Sequence, residues 1–279
     1  SGRIIYNDIA TGEKLDCFAF VAKKFKLSYK EAIRRVACDF GLIECGEPKF
    51  AKVELRKARL IAEEAKKQTE IKIVPDFWTE AYLSYWRQYG ITQEELQKEE
   101  VYPIKKLYIN ENLIPNYDGD IRFAYVIRHK DKIYKKIYSP NAVSKKFKWI
   151  TNVPMYLPFG FDSLPHKSDT LVITKAQKDR IILKKYLTDV IAVQNESPAA
   201  LRDITIQYLK RIYKKIYYNS DLDDAGKAAS EYFKEKELEP LMLPDSLYET
   251  SGIKDLADFA KKYGVHRVED FLHYKGLIK

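Results

Sequence analysis

The pattern of apolar and polar positions changes character twice along the chain. Residues 12–46 read as two helices, and K-L-S-Y-K-E-A-I-R-R-V-A carries Ser28 at an N-cap position with Glu31 three residues on, the pattern of a capping box. Residues 53–69, rich in Ala, Lys and Glu, read as a further charged helix. After Pro75, D-F-W-T-E-A-Y-L-S-Y-W-R-Q-Y-G has helical spacing and a stop at Gly90, and Thr92 with Glu95 forms another capping box. The first hundred residues are therefore expected to be mostly α.

From 105 to 150 the pattern becomes β-like. I-R-F-A-Y-V-I-R and K-I-Y-K-K-I-Y-S are β-rich runs joined by a short polar turn, 129–131. Beyond 166 the rhythm changes again. L-V-I-T reads as a strand, A-Q-K-D-R-I-I-L-K-K-Y-L as a helix and D-V-I-A-V as a strand. Ser197-Pro198 then opens a long helix, with proline at the favoured first position. I-Y-Y-N, A-G-K-A-A-S-E-Y-F-K-E-K, P-L-M-L and K-D-L-A-D-F-A-K-K-Y continue the alternation to Gly264. Strict β/α alternation predicts a parallel sheet with helices on its faces, and chemistry beyond the carboxyl ends of its strands.

Composition adds a charge bias. The 279 residues, 46% of them hydrophobic, suffice for two compact domains or one large one, and 49 Lys+Arg against 40 Asp+Glu leave a net charge of +9. That excess points to an anionic partner, nucleic acid first. A basic protein from an AT-rich genome would share the composition. Arg122, Arg128, Lys130, Lys132, Lys135 and Lys136 crowd the β-rich stretch, and N-A-V-S-K-K-F-K-W adds Lys145, Lys146, Lys148 and Trp149. Cations interleaved with rings suit single-stranded nucleic acid, the charges tracking phosphates and the rings stacking on bases. A sheet with one solvated lysine face would read the same way. Cys17, Cys38 and Cys45 are too sparse for a disulfide framework or a zinc ribbon and are expected to be buried thiols in a reducing compartment. The four histidines form no ligand pair with them. No run of 18 apolar residues and no signal peptide is visible, and the opening Ser-Gly looks like the scar of a tag on an excised fragment.

Against this basic background, Y-Y-N-S-D-L-D-D-A-G places Asp221, Asp223 and Asp224 within four residues at the end of the I-Y-Y-N strand. A spacing of two on extended chain points Asp221 and Asp223 the same way. Converging carboxylates repel unless a cation sits between them, and hard oxygens suit Mg²⁺ or Mn²⁺. Gly226 would permit close approach at the helix start. An acidic helix N-terminus complementing the dipole accounts for Asp224 but not for paired acids ahead of the helix.

Strand, Asp179, a β/α pair, strand-D-x-D-x-x-G and K-D-L-A-D follow one another in an order that resembles the Toprim fold. G-E-K-L-D-C-F-A-F-V with L-S-Y-K-E-A-I resembles the closing part of the zinc-binding domain of phage and bacterial DnaG-type DNA primases. Y-L-S-Y-W-R-Q-Y-G-I-T-Q-E-E-L is similar to the start of their RNA-polymerase domain, and K-F-K-W-I-T-N to its lysine-bearing basic motif. The resemblance implies an α+β fold in three parts: a helical remnant of the zinc domain over 1–46, a helical and basic β-rich subdomain over 47–165, and a parallel-sheet Toprim subdomain over 166–279. It implies a cytoplasmic nucleotidyltransferase of a bacterial or phage-infected cell, making short RNA primers on single-stranded DNA from nucleoside triphosphates, in partnership with a replicative helicase. Zinc would belong only to a missing upstream segment. Divalent metal would stabilise the attacking 3′ oxygen and the departing pyrophosphate. Asp221 and Asp223 would be the central ligands, joined by Asp179 and Asp255. Arg122, Arg128, Lys135, Lys136, Lys146, Lys148 and Trp149 would hold template and nucleotide. No G-K-[ST] loop of a helicase motor is present.

One position departs from the family. Its first Toprim motif ends a strand in Glu-Gly, where this chain has Lys175-Ala176. The change is two charge units, each worth roughly 4 kcal/mol at 4 Å and an effective dielectric near 20. Three explanations stand. Lys175 replaces a metal's charge and binds phosphate itself; Glu196 in V-Q-N-E-S supplies the missing acid; or the site has decayed, leaving a catalytically weak Toprim protein that binds single-stranded DNA and scaffolds a replisome. Keeping all four aspartates is awkward for decay. A Toprim nuclease would use the same acids, but the basic stretch and the zinc-domain remnant argue against it.

Overall fold

The computed structural model describes residues 5–7, 14–39, 69–116, 119–144, 147–195, 197 and 200–279. The chain forms two compact units, Ser1–Lys67 and Gln68–Lys279. In the first, β1 (Ile5–Asn7) pairs antiparallel with β2 (Lys14–Asp16), followed by α1 (Cys17–Phe25) and α2 (Tyr29–Asp39). Asp16 caps α1 by accepting from the Ala19 N–H at 2.7 Å. The Ser28–Glu31 box forms as expected, with Ser28 N–H donating to Glu31 at 2.8 Å and Glu31 N–H to Ser28 Oγ at 3.3 Å. Cys17 is exposed and Cys38 is disulfide-bonded, so neither matches the expected buried thiol. The helix expected over 53–69 lies outside the described residues but for Thr69, which is not helical. Of the segment 12–46, the described part opens with strand β2 rather than a helix. The two ends of that segment lie outside the described residues, as do Cys45, Lys145, Lys146, Glu196 and Pro198.

The second unit begins with a strand, not a helix. β3 (Ile71–Pro75) pairs antiparallel with β4 (Val101–Ile109), because I-K-I-V-P alternates with a period of two and can bury Ile71 on one face. Between them lie α3 (Glu80–Arg87) and α4 (Gln93–Lys98). Helix α3 starts at Glu80, after the extended residue Thr79, and the Thr92–Glu95 box opens α4 as expected. β4 also pairs with β5 (Asn112–Ile114) and β6 (Phe123–His129), which turns into β7 (Lys132–Tyr138) and then β8 (Trp149–Thr151). The sheet order is β3-β4-β6-β7-β8, with β5 attached to β4.

A separate parallel sheet follows, order β10-β9-β11-β12, from β9 (Thr170–Thr174), β10 (Val190–Ala192), β11 (Lys215–Asn219) and β12 (Glu239–Leu241). Its connections run through α5 (Gln177–Leu183), α6 (Asp203–Ile212) and α7 (Asp224–Glu235). Helix α6 opens at Asp203, and Ala200 N–H donates to the Ser197 carbonyl at 2.8 Å; the helix start expected at Pro198 lies outside the described residues. Three helices close the chain: α8 (Ser246–Ser251), α9 (Leu256–Tyr263) and α10 (Val265–Tyr274). Gly264, at φ +87°, ends α9, but the chain turns there into α10, which the alternation did not foresee.

One core joins the two sheets of this unit, uniting Trp86, Phe123 and Tyr125 with Val172, Ile182 and Leu272. Phe159 bridges to Ala192 at the edge of the parallel sheet. Buried Arg180 on α5 pairs with Glu99 and donates Nε–H to the Val190 carbonyl at 2.9 Å. Among the described residues no helix is long and apolar enough to cross a membrane.

Candidate nucleotide and nucleic-acid site

The carboxyl ends of the parallel strands are tied together by side chains. The register sets Asn219 of β11 against Thr174 of β9 on one side and Leu241 of β12 on the other. Thr174 Oγ donates to Asn219 Oδ1 at 2.9 Å, and Asn219 Nδ2 donates to the Leu241 carbonyl at 2.8 Å. The chain therefore leaves β9 and β11 side by side, and Lys175 meets Asp221 just beyond them.

Asp221 is 2% exposed. Lys175 Nζ lies 2.5 Å from its Oδ2. Lys254 Nζ lies 3.4 Å from the same oxygen and 2.5 Å from Asp223 Oδ2. Gly226 makes this packing possible, since a Cβ there would fall 2.2 Å from the Asp221 carbonyl oxygen. Asp223 is also the N-cap of α7, its Oδ1 accepting from Gly226 N–H at 2.9 Å. The helix-terminus role that accounted only for Asp224 thus extends to Asp223, which caps the helix while Asp224 sits in its first turn. Burial pushes the Asp223 carboxyl up, but the Lys254 ammonium and the cap N–H outweigh it and hold it below its ordinary value.

Asp255 caps α9, accepting from Asp258 N–H at 2.7 Å, and its carboxyl is pushed up to about 6 by burial and then by the charge of Asp258. Asp179 on α5 is buried and accepts from Ala257 N–H at 2.9 Å. Burial, followed by the charges of Asp255 and Asp221, holds it well above the carboxylate range. Asp179, Asp221 and Asp255 thus lie within electrostatic reach of one another, and Asp223 joins Asp221 through Lys254.

Oxygen donors of this type suit Mg²⁺ or Mn²⁺. Their arrangement does not: Asp221 and Asp223 already hold ammonium groups, and among the described residues no three acids converge to hold a metal ion. As they stand, the described side chains do not fit a divalent cation.

The basic strands divide between two faces. Side chains alternate along β7, so Lys136 shares a face with Tyr134 and Tyr138, while Lys135 and Arg128 share the other with Ile133 and Ile137. Lys136 turns toward the parallel sheet and donates to the Gln194 carbonyl at 2.8 Å. Burial, then repulsion from Lys175, lowers its pKa to about 8. Arg128 points elsewhere and pairs with Glu100 at 2.7 Å. Arg122 is pinned to its own loop, donating to the Pro115 carbonyl at 2.6 Å. The expected ring platform is also mostly core: Tyr125, Tyr134 and Tyr138 are buried, the first and last against the rings of α3. Trp149 remains open at 41% exposure, stacked on Tyr138 at 4.3 Å, with Lys136 Nζ 4.9 Å from its ring and Lys148 Nζ 6.0 Å from that of Tyr138.

Two cations of the cluster were not singled out in the sequence. Lys254 stood inside the K-D-L-A-D motif, immediately before Asp255. Lys178 precedes Asp179; its Nζ sits 3.8 Å from the Tyr89 ring and 3.1 Å from Tyr85 Oη, and although burial pushes its pKa down, the rings and Asp255 leave it raised.

No protein-family model and no curated protein matches the sequence. Solved structures do. The zinc-binding and RNA-polymerase domains of the Aquifex aeolicus primase align over 97% of this chain and 73% of that one, at 16% identity and a TM-score of 0.51. A chain from a bacteriophage T7 assembly of lagging-strand DNA polymerase with primase domains aligns over 73% and 92%, at 16% identity and a TM-score of 0.47. The DnaG catalytic core aligns over 82% and 74%, at 15% identity and a TM-score of 0.43. The first likeness establishes the fold: this chain shares the α+β fold of the zinc-binding and RNA-polymerase domains of that primase.

Proposed function

We propose that this chain is the RNA-polymerase core of a DNA primase, a nucleotidyltransferase that joins nucleoside triphosphates into short RNA primers on single-stranded DNA. The observation that carries the reading is the convergence of Lys175 and Lys254 on Asp221, with Lys136 of the other sheet within repulsive range of Lys175, at the carboxyl end of a parallel strand in a primase fold. Chemistry in open parallel sheets gathers at that edge. Lys136, Lys175 and Lys254 would bind phosphates, Asp221 would orient the ammonium groups, and Trp149 with Lys148 would take a template base and its phosphate. Asp179 and Asp255 would set the field beneath them. In this reading the described side chains account for binding and positioning. The reading includes a replicative helicase as partner and the cytoplasm of a bacterial or phage-infected cell as the place of work. It also includes the division at about residue 165 between the basic part and the catalytic part.

The pairing of Lys175 with Asp221 favours a second reading, a catalytically weak protein that binds single-stranded DNA and scaffolds a replisome. Extension of an RNA primer annealed to a DNA template, with Mg²⁺ or Mn²⁺, separates the two. The primase reading expects wild-type extension and a loss of about 100-fold or more in the Asp221→Ala, Asp223→Ala double variant. Extension untouched by the double variant would remove the site assignment. Extension absent in wild type and gained in Lys175→Glu would put the scaffold reading first.

A further inference from the structure

A carboxylate as deeply buried as Asp221, 2% exposed, needs a counter-charge. In this fold the counter-charge comes from the chain itself. Lys175 and Lys254 both lie against Asp221 Oδ2, at 2.5 and 3.4 Å, and Lys254 also reaches Asp223 at 2.5 Å. Two ammonium groups on one oxygen carry the charge of a divalent ion. They differ from one in being tethered, in bringing N–H donors of their own, and in resisting chelators. Their side chains are 25% and 41% exposed, so the cluster opens to solvent on the side away from Asp221. Lys136 adds a third positive charge within repulsive range of Lys175.

We propose that Lys175 and Lys254, anchored on Asp221, form a built-in cationic seat that binds the polyphosphate chain of a nucleoside triphosphate without a divalent metal. The proposal rests on the nucleotide-handling reading above and deepens it. It also gives the lysine at position 175 a role: the anchored ammonium supplies positive charge at a fixed place, where a carboxylate would have required an ion to arrive first.

The test is calorimetric titration of inorganic tripolyphosphate, and of ATP, into the full chain, once in EDTA and once in Mg²⁺. Wild type should bind both in EDTA. Lys175→Met, which keeps the apolar stem, should bind about tenfold more weakly or worse in EDTA, the loss of one charge-assisted contact. Lys175→Glu should lose binding in EDTA and regain it in Mg²⁺. Circular dichroism and a thermal melt establish that each variant is folded; Lys254→Met, expected to weaken binding similarly, serves if a Lys175 variant is not. Wild-type binding seen only with Mg²⁺, or a folded Lys175→Met that binds as wild type does in EDTA, overturns the proposal. Primer extension by the same preparation tells the two failures apart. Extension with no metal-free tripolyphosphate binding refutes the seat and leaves the primase reading. Metal-free binding without extension does the reverse.

Discussion

The two ends of the parallel sheet each bury an aspartate, and they satisfy it by different means. At the amino end, Asp189 just before β10 is 1% exposed. Its oxygens accept from the backbone N–H groups of His166, Lys167 and Ser168 at 2.9, 3.1 and 2.9 Å, and from Tyr213 Oη at 3.0 Å. At the carboxyl end, Asp221 just after β11 is as deeply buried, but its Oδ2 holds the ammonium groups of two long side chains. Backbone donors cannot turn away without unfolding the loop that carries them. Lysine side chains rotate, and each can exchange a carboxylate for a phosphate. The first arrangement fixes the loop 166–168 against the sheet; the second leaves a charge that a ligand can redistribute. Depth of burial alone would have treated the two residues alike.

The largest effect that would break this comparison is on stability at the amino end. Asp189→Ala should cost about 3 kcal/mol or more, since it strands several buried donors at once. Urea denaturation measures it, and a loss below about 1 kcal/mol would mean that this carboxylate is no more structural than its counterpart. A smaller effect is expected at the carboxyl end. Asp221→Asn should change stability by less than about 1 kcal/mol, because partly exposed Lys175 and Lys254 can turn to water. A large destabilisation in the same urea experiment would make Asp221 a structural residue.

The smallest effect is a pH slope. Lys136, lowered from 10.5 to about 8, is charged in both folded and unfolded chains below pH 8. Between pH 8 and 10.5 the unfolded chain keeps a proton that the folded chain has released, so the Lys136 contribution to stability rises with pH across that window. Lys136→Met lacks the cost of burying the charge. Its advantage in melting temperature over wild type should shrink between pH 7.5 and 10.5. A constant difference would mean that Lys136 is not held in the low-dielectric contact with Gln194 and Trp149.

Much of the site could be read along the chain. Asp221, Gly226 and the end of β11 stood in one local motif, and Asp255 in another, because strand ends and helix starts leave short-range marks. That Asp223 and Asp255 also cap α7 and α9 was within reach of the same rules, since each lies three residues before the N–H it accepts from. The basic stretch was harder. A period of two shows that Lys135 and Lys136 face opposite ways, but not which face meets the parallel sheet. Lys136 faces it, Arg128 takes Glu100 instead, and the hairpin's rings fill the core against α3.

The sequence by itself determined the β/α alternation from β9 to β12, the capping boxes, the acid motif and the foreign lysine at 175, because each is a matter of neighbouring residues and their periods. The tertiary structure decided which charges meet. Lys175 and Asp221 are 46 residues apart, and Lys254 lies 33 further on. Only the parallel register of β9 and β11, and the return of the chain into α9, brings them onto one oxygen. Contacts of that separation depend on how strands pair and where loops return, and no local pattern encodes either.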